Sequence, residues 1–111
     1  MLYLVDMKLR SSLGNPSPAD GVQFIENVIF PTLERCRSLV SEGTIVAGGP
    51  VIGAIRLVFM VESENPKMLE DAIMQLPIWP LAETAVVPLT TFGDRKMSVD
   101  GLHETIKKRF S

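Results

Sequence analysis

The chain has 111 residues, 46% of them apolar and 22% charged, with a net charge of −2. It reads as one domain over 1–111, large enough for its own core, and the charge balance excludes the clustered basic surface that a nucleic-acid partner favours. Its single cysteine, Cys36, excludes an internal disulfide, and no Cys/His cluster points to a metal.

The opening MLYLVDMKLR alternates, with Tyr3, Val5, Met7 and Leu9 on one face and Leu2, Leu4, Asp6, Lys8 and Arg10 on the other. That period of two predicts a strand with one wholly apolar side. Its charges are wrong for a secretory leader, and no apolar run approaches the roughly 18 residues of a membrane span. A reduced, cytoplasmic setting is the expectation. Ser11 to Pro18 is a loop by composition.

From Asp20, a candidate cap, to Glu42 the apolar residues Val22, Ile25, Val28, Ile29, Leu33, Cys36, Leu39 and Val40 fall at helical spacing. Pro31 lies inside this pattern and predicts a kink or a split, because proline donates no hydrogen bond. Gly43 suits the C-terminal cap. Cys36 sits on the apolar stripe and reads as a buried thiol rather than a reactive one.

Thr44–Ala47 predicts a short strand, and Gly48-Gly49-Pro50 with Gly53 a tight connection. Ala54–Glu62 is the clearest strand, with Ile55, Leu57, Phe59 and Val61 on one face. The two strands read as an antiparallel hairpin. Pro66 opens a second helix that runs to about Leu76. Pro77 ends it, and Pro77 and Pro80 then bracket Trp79, the one tryptophan. Residues 83–92 form a last strand, in which Pro88 implies an edge, a bulge or a departure from the sheet. Gly93-Asp94 is expected to turn the chain, and Ser98–Phe110 to form a short helix within a tail at 93–111.

Strand, helix, strand, strand, helix, strand, then a tail helix: this order describes a ferredoxin-like α+β domain. It has a four-stranded antiparallel sheet with helices on one face. The other face would carry Leu2, Leu4, Val58 and Met60 with Asp6, Lys8 and Arg56. A bare apolar face is costly in water, so the expectation is a second copy that closes a dimeric α/β barrel. Asp6 and Arg56 would then face the space between the sheets.

Residues 43–49 (GTIVAGG), the strand Ala54–Glu62, the helix Pro66–Gln75, then LPIWP and ETAVVPLTTF resemble the muconolactone isomerase-like group of the dimeric α+β barrel superfamily. The resemblance covers roughly residues 43–92 closely and the rest in element order. It implies a homodimer or larger ring, no cofactor, and a pocket between sheet and helices at the subunit interface. It also implies a proton shift within a small unsaturated lactone carrying a carboxylate. Such chemistry needs a general base and a cationic clamp. The resemblance places basic side chains on the first strand, where this chain has Leu4 and Asp6.

The candidates for base are Asp6 and His103, and for ligand contacts Arg56, Arg95 and Trp79. Each has a plainer role: Asp6 and Arg56 as an ion pair, His103 and Arg95 as surface residues, Trp79 as a packing anchor. The alternative to an isomerase is a non-catalytic oligomer that binds a small apolar or aromatic acid in the barrel cavity. An apolar cavity with Asp6 and Arg56 tied together would favour that alternative.

Overall fold

A computed structural model describes residues 1–10 and 17–110. Four strands, β1 (Leu2–Leu9), β2 (Ile45–Pro50), β3 (Arg56–Glu62) and β4 (Ala82–Leu89), form one antiparallel sheet in the order β2-β3-β1-β4. The expected ferredoxin-like topology is therefore present. β4 is an edge strand that pairs only with β1, and Pro88 lies opposite Tyr3 in an unbroken register. Of the three options that proline left open, the edge is the one realised, since an edge leaves room for a missing donor.

The alternation of β1 and β3 is read directly in burial. Tyr3, Val5, Met7, Leu57, Phe59 and Val61 are buried, together with Leu39, Leu69, Ile73, Leu76 and Ile78 from the helices and the link after them. Ile55 ends outside β3 and is exposed. The helices thus cover one sheet face, as expected.

The first helical region is continuous. It consists of α1 (Pro18–Phe24), a π-helical segment at Ile25–Ile29, and α2 (Phe30–Ser41). Its cap is Ser17, whose hydroxyl accepts the Asp20 N–H at 3.2 Å, so Asp20 lies in the first turn rather than at the cap. Of the expected loop at 11–18, Ser17 and Pro18 open this helix, and residues 11–16 lie outside the described residues.

Pro31 neither splits nor ends the helix. The preceding turn widens, and the Phe30 N–H reaches back to the Ile25 carbonyl, five residues away. The widened turn accommodates a position that has no N–H to give. At the far end Gly43, with φ of 82°, donates to the Val40 carbonyl, and Thr44 donates to Leu39. This pair of bonds is the Schellman cap, for which a glycine is the favoured residue.

α3 (Pro66–Met74) is capped by Asn65, whose side chain accepts the Met68 N–H. A short 3-10 turn at Trp79–Leu81 leads into β4.

The tail departs from expectation. Gly93 and Asp94 do not turn the chain; they lie in the first turn of α4 (Phe92–Phe110), a single helix of 19 residues. Thr91 caps it, its hydroxyl accepting the Asp94 N–H at 3.0 Å. Every residue of α4 is exposed. The molecule consequently extends 70 × 31 × 24 Å with a radius of gyration of 19.0 Å, against about 13 Å for a compact chain of this size. No helix among the described residues is long and apolar enough to cross a membrane.

Candidate functional site

An apolar cleft of about 500 Å³ opens between the first helical region and the β2–β3 hairpin. Phe24, Ile25, Ile29 and Leu33 line one wall, and Pro50, Ile55 and Leu57 the other, with Thr32 and Ile78 also in the lining. Ile25 and Ile29 are the two ends of the π segment. The widened turn that accommodates Pro31 therefore also shapes the helical wall. Such turns recur at functional sites.

Arg56 is the one titratable residue among the described residues lining the cleft. Its guanidinium is already bound. Arg56 Nε donates to Asp6 Oδ1 at 2.9 Å and Nη2 to Asp6 Oδ2 at 2.5 Å. The pairing follows from register: Asp6 stands opposite Val58 and Lys8 opposite Arg56, so the two side chains meet diagonally on the helix-free face. The Arg56 bond holds the Asp6 carboxyl below its ordinary value, against a smaller opposing effect of burial. Asp6 in turn holds the Arg56 guanidinium above its ordinary value. A carboxylate tuned this way is a weaker base than a free one.

The structure brings Asp6 and Arg56 together and keeps the other candidates apart. Trp79 and Arg10 border a separate depression of about 450 Å³ beside Thr84, whose hydroxyl oxygen is buried without a partner among the described residues. Arg95 and His103 lie on α4, outside the cleft lining. Cys36 packs half-buried against the core, and burial pushes its thiol up.

The resemblance implies a pocket between sheet and helices, but the residue pattern alone does not locate this cleft. Its residues read as core stripe, because a helical stripe wide enough for a core is also wide enough for a pocket wall. Pro31 is the available signal, being the residue that forces the local geometry.

A four-stranded antiparallel sheet with helices on one face and an apolar cleft between helix and hairpin defines a ferredoxin-like α+β protein with a small-ligand-sized cavity. The profile of the muconolactone delta-isomerase family matches residues 1–95, and the chain belongs to that family. Among solved structures, a muconolactone isomerase crystal structure at 3.3 Å is similar with a TM-score of 0.65 and 24% identity, covering 82% of this chain and 90% of that one. A 5-chloro-2-hydroxyhydroquinone dehydrochlorinase from Burkholderia phenoliruptrix AC1100, in complex with 2,5-dihydroxybenzoquinone, is similar with a TM-score of 0.61 and 20% identity. It covers 85% of this chain and 98% of that one. At these identities the two structures speak for the fold. A comparison with curated protein sequences returns no match.

Proposed function

We propose that this muconolactone isomerase-like protein self-associates and takes a small ring compound, a lactone or an aromatic acid, into the apolar cleft without a cofactor. The observation that supports this is the cleft's lining. Among the described residues it is apolar throughout except for Thr32 and Arg56, and Arg56 is committed to Asp6. Such a cavity favours ring burial, and its described residues supply no free acid or base. Self-association rests on the helix-free sheet face, where Leu4, Val58 and Met60 have no helix above them.

Isomerisation of an unsaturated lactone is the second reading, favoured by family membership over residues 1–95. In that reading Asp6 is the base and Arg56 the anion clamp, and substrate binds on the helix-free face where the two meet, outside the apolar cleft, and has to part them. His103 is the other base, and Arg95 and Trp79 are further ligand contacts.

The test is titration calorimetry with muconolactone and with 2,5-dihydroxybenzoquinone as probes, beside an absorbance assay of muconolactone turnover. Binding that is lost in Ile29→Trp, which fills the cleft, supports the ligand site. Binding of neither probe overturns it. Turnover abolished by Asp6→Asn selects the second reading.

A further inference from the structure

The cleft is larger than one ring. An apolar cavity of about 150 Å³ is enough to take benzene, and this cleft holds about 500 Å³. It is also long. Gly21, Ile25, Ile29 and Leu33 all line it, each four residues after the last. Twelve residues of helix at about 1.5 Å each make a wall of about 18 Å. In an unbroken α-helix, residues four apart drift by about 40° per step, or about 120° over three steps, which would carry one end of the row off the cleft. The π segment at Ile25–Ile29 lies in the middle of the row, and its wider turn takes up that drift. The turn that accommodates Pro31 thus makes a straight wall.

Gly21 is the far end of that wall. It lies within α1 and its φ is not positive, so no left-handed conformation calls for glycine. A Cβ added there meets no atom within 4 Å, so no close neighbour calls for it either. Glycine weakens a helix interior. The fold therefore gains nothing from glycine at this position, while the cleft gains open length at one end. Phe24, the one aromatic residue in the described lining, stands one turn on from Gly21 on the same wall. An aromatic face is thus available at the end that Gly21 leaves open.

We infer that the cleft selects a ligand with the apolar bulk of two rings, fused or joined end to end, laid along the first helical region with its far ring over Gly21 and beside Phe24. Gly21 is then the residue that sets ligand length. A single ring fills part of the space and leaves apolar wall wet, and a second ring gains its affinity by drying that wall. This selection rests on the cleft being a ligand site, as proposed, and narrows the ring compound to one size.

The test is titration calorimetry with two neutral probes that share one polar group, phenol and 4-phenylphenol. The parent chain should bind 4-phenylphenol at least about tenfold tighter than phenol. Added apolar bulk tightens binding to many surfaces, so the deciding variant is Gly21→Leu, which fills the far end. It should weaken 4-phenylphenol about tenfold or more and leave phenol within about twofold. Gly21→Ala should give the same change in smaller measure. Because alanine favours a helix, its Tm should not fall below the parent's, so a loss of binding there is not a loss of fold. Equal affinities of the parent for the two probes overturn the inference. So does a Gly21→Leu chain that binds 4-phenylphenol as the parent does, or that weakens for both probes alike. Phenol binding without the two-ring preference leaves the ligand cleft standing and overturns this selection alone. No binding by either of these probes, nor by those named for the cleft itself, overturns both.

Discussion

The backbone N–H of Ile78 donates to Thr32 Oγ1 at 3.1 Å, across 46 positions of sequence. Thr32 is 1% exposed and Ile78 2%. The bond ties the proline-bracketed link after α3 to the first turn of α2, where the π segment ends. It fixes the floor of the cleft, because both residues line it. A buried N–H in a link that makes no ladder has to find an acceptor, and here a threonine side chain provides it.

Thr32→Val keeps the shape and removes that acceptor. The Ile78 N–H is then buried unpaired, which costs about 1–3 kcal/mol. We expect a lowered urea midpoint with unchanged slope, and near-native stability in Thr32→Ser, which keeps the hydroxyl. Equal losses in both variants would assign the effect to the methyl group instead.

That bond also marks where the sequence stops being legible. Period-two alternation in β1 and β3 follows from which side of a sheet is wet, so the residues themselves locate the core. The edge position of Pro88 is legible for the same reason, since a missing donor restricts where the residue can sit. Thr32 reads as an ordinary helical residue, because its role depends on a partner 46 positions away. The diagonal meeting of Asp6 and Arg56 is expected from their shared face. The lining of the cleft is not legible in the residue pattern, because residues that wall a pocket and residues that fill a core obey one pattern; only the resemblance implies a pocket between sheet and helices. Reading Gly93 as a turn makes α4 too short, because Thr91 supplies a cap that carries the helix through it.

Gly48 makes a second, sharper demand. Its φ is 100°, in the left-handed region, and it sits just after the register shift between Ile45 and Ala47. A Cβ there would stand 2.3 Å from the Val58 carbonyl oxygen and 2.5 Å from Phe59 Cα. Both neighbours are backbone of β3 and cannot swing aside. Gly48→Ala should therefore cost at least about 2 kcal/mol, through strain and separation of β2 from β3. Gly49→Ala is the control, since nothing lies within 4 Å of its added Cβ. Chemical denaturation of the two variants side by side checks this, and an equal, small loss in both would contradict it.

The Asp6–Arg56 pair makes stability depend on pH with a definite sign. Arg56 holds the Asp6 carboxyl below its ordinary value in the folded chain. A carboxyl whose folded value is lowered contributes stability that is fully present above the unfolded value, about 3.9, and is lost as pH falls through the folded one. The shift of Arg56 is upward from a value already beyond the accessible range, so it adds no further dependence near neutrality. Asp6→Asn should thus unfold at lower urea than the parent at pH 7 and at pH 5. The difference between them should narrow as pH falls below the unfolded value of about 3.9. The side chains are 30% and 40% exposed, so 1 M salt should shrink the difference at pH 7 as well. Arg56→Met in the same series closes a double-mutant cycle and isolates the pair from the effect of each side chain alone. A penalty for Asp6→Asn that stays constant from pH 7 to pH 2.5 would mean that the carboxylate is not engaged by the guanidinium. It would then be free to act as the base of the isomerase reading.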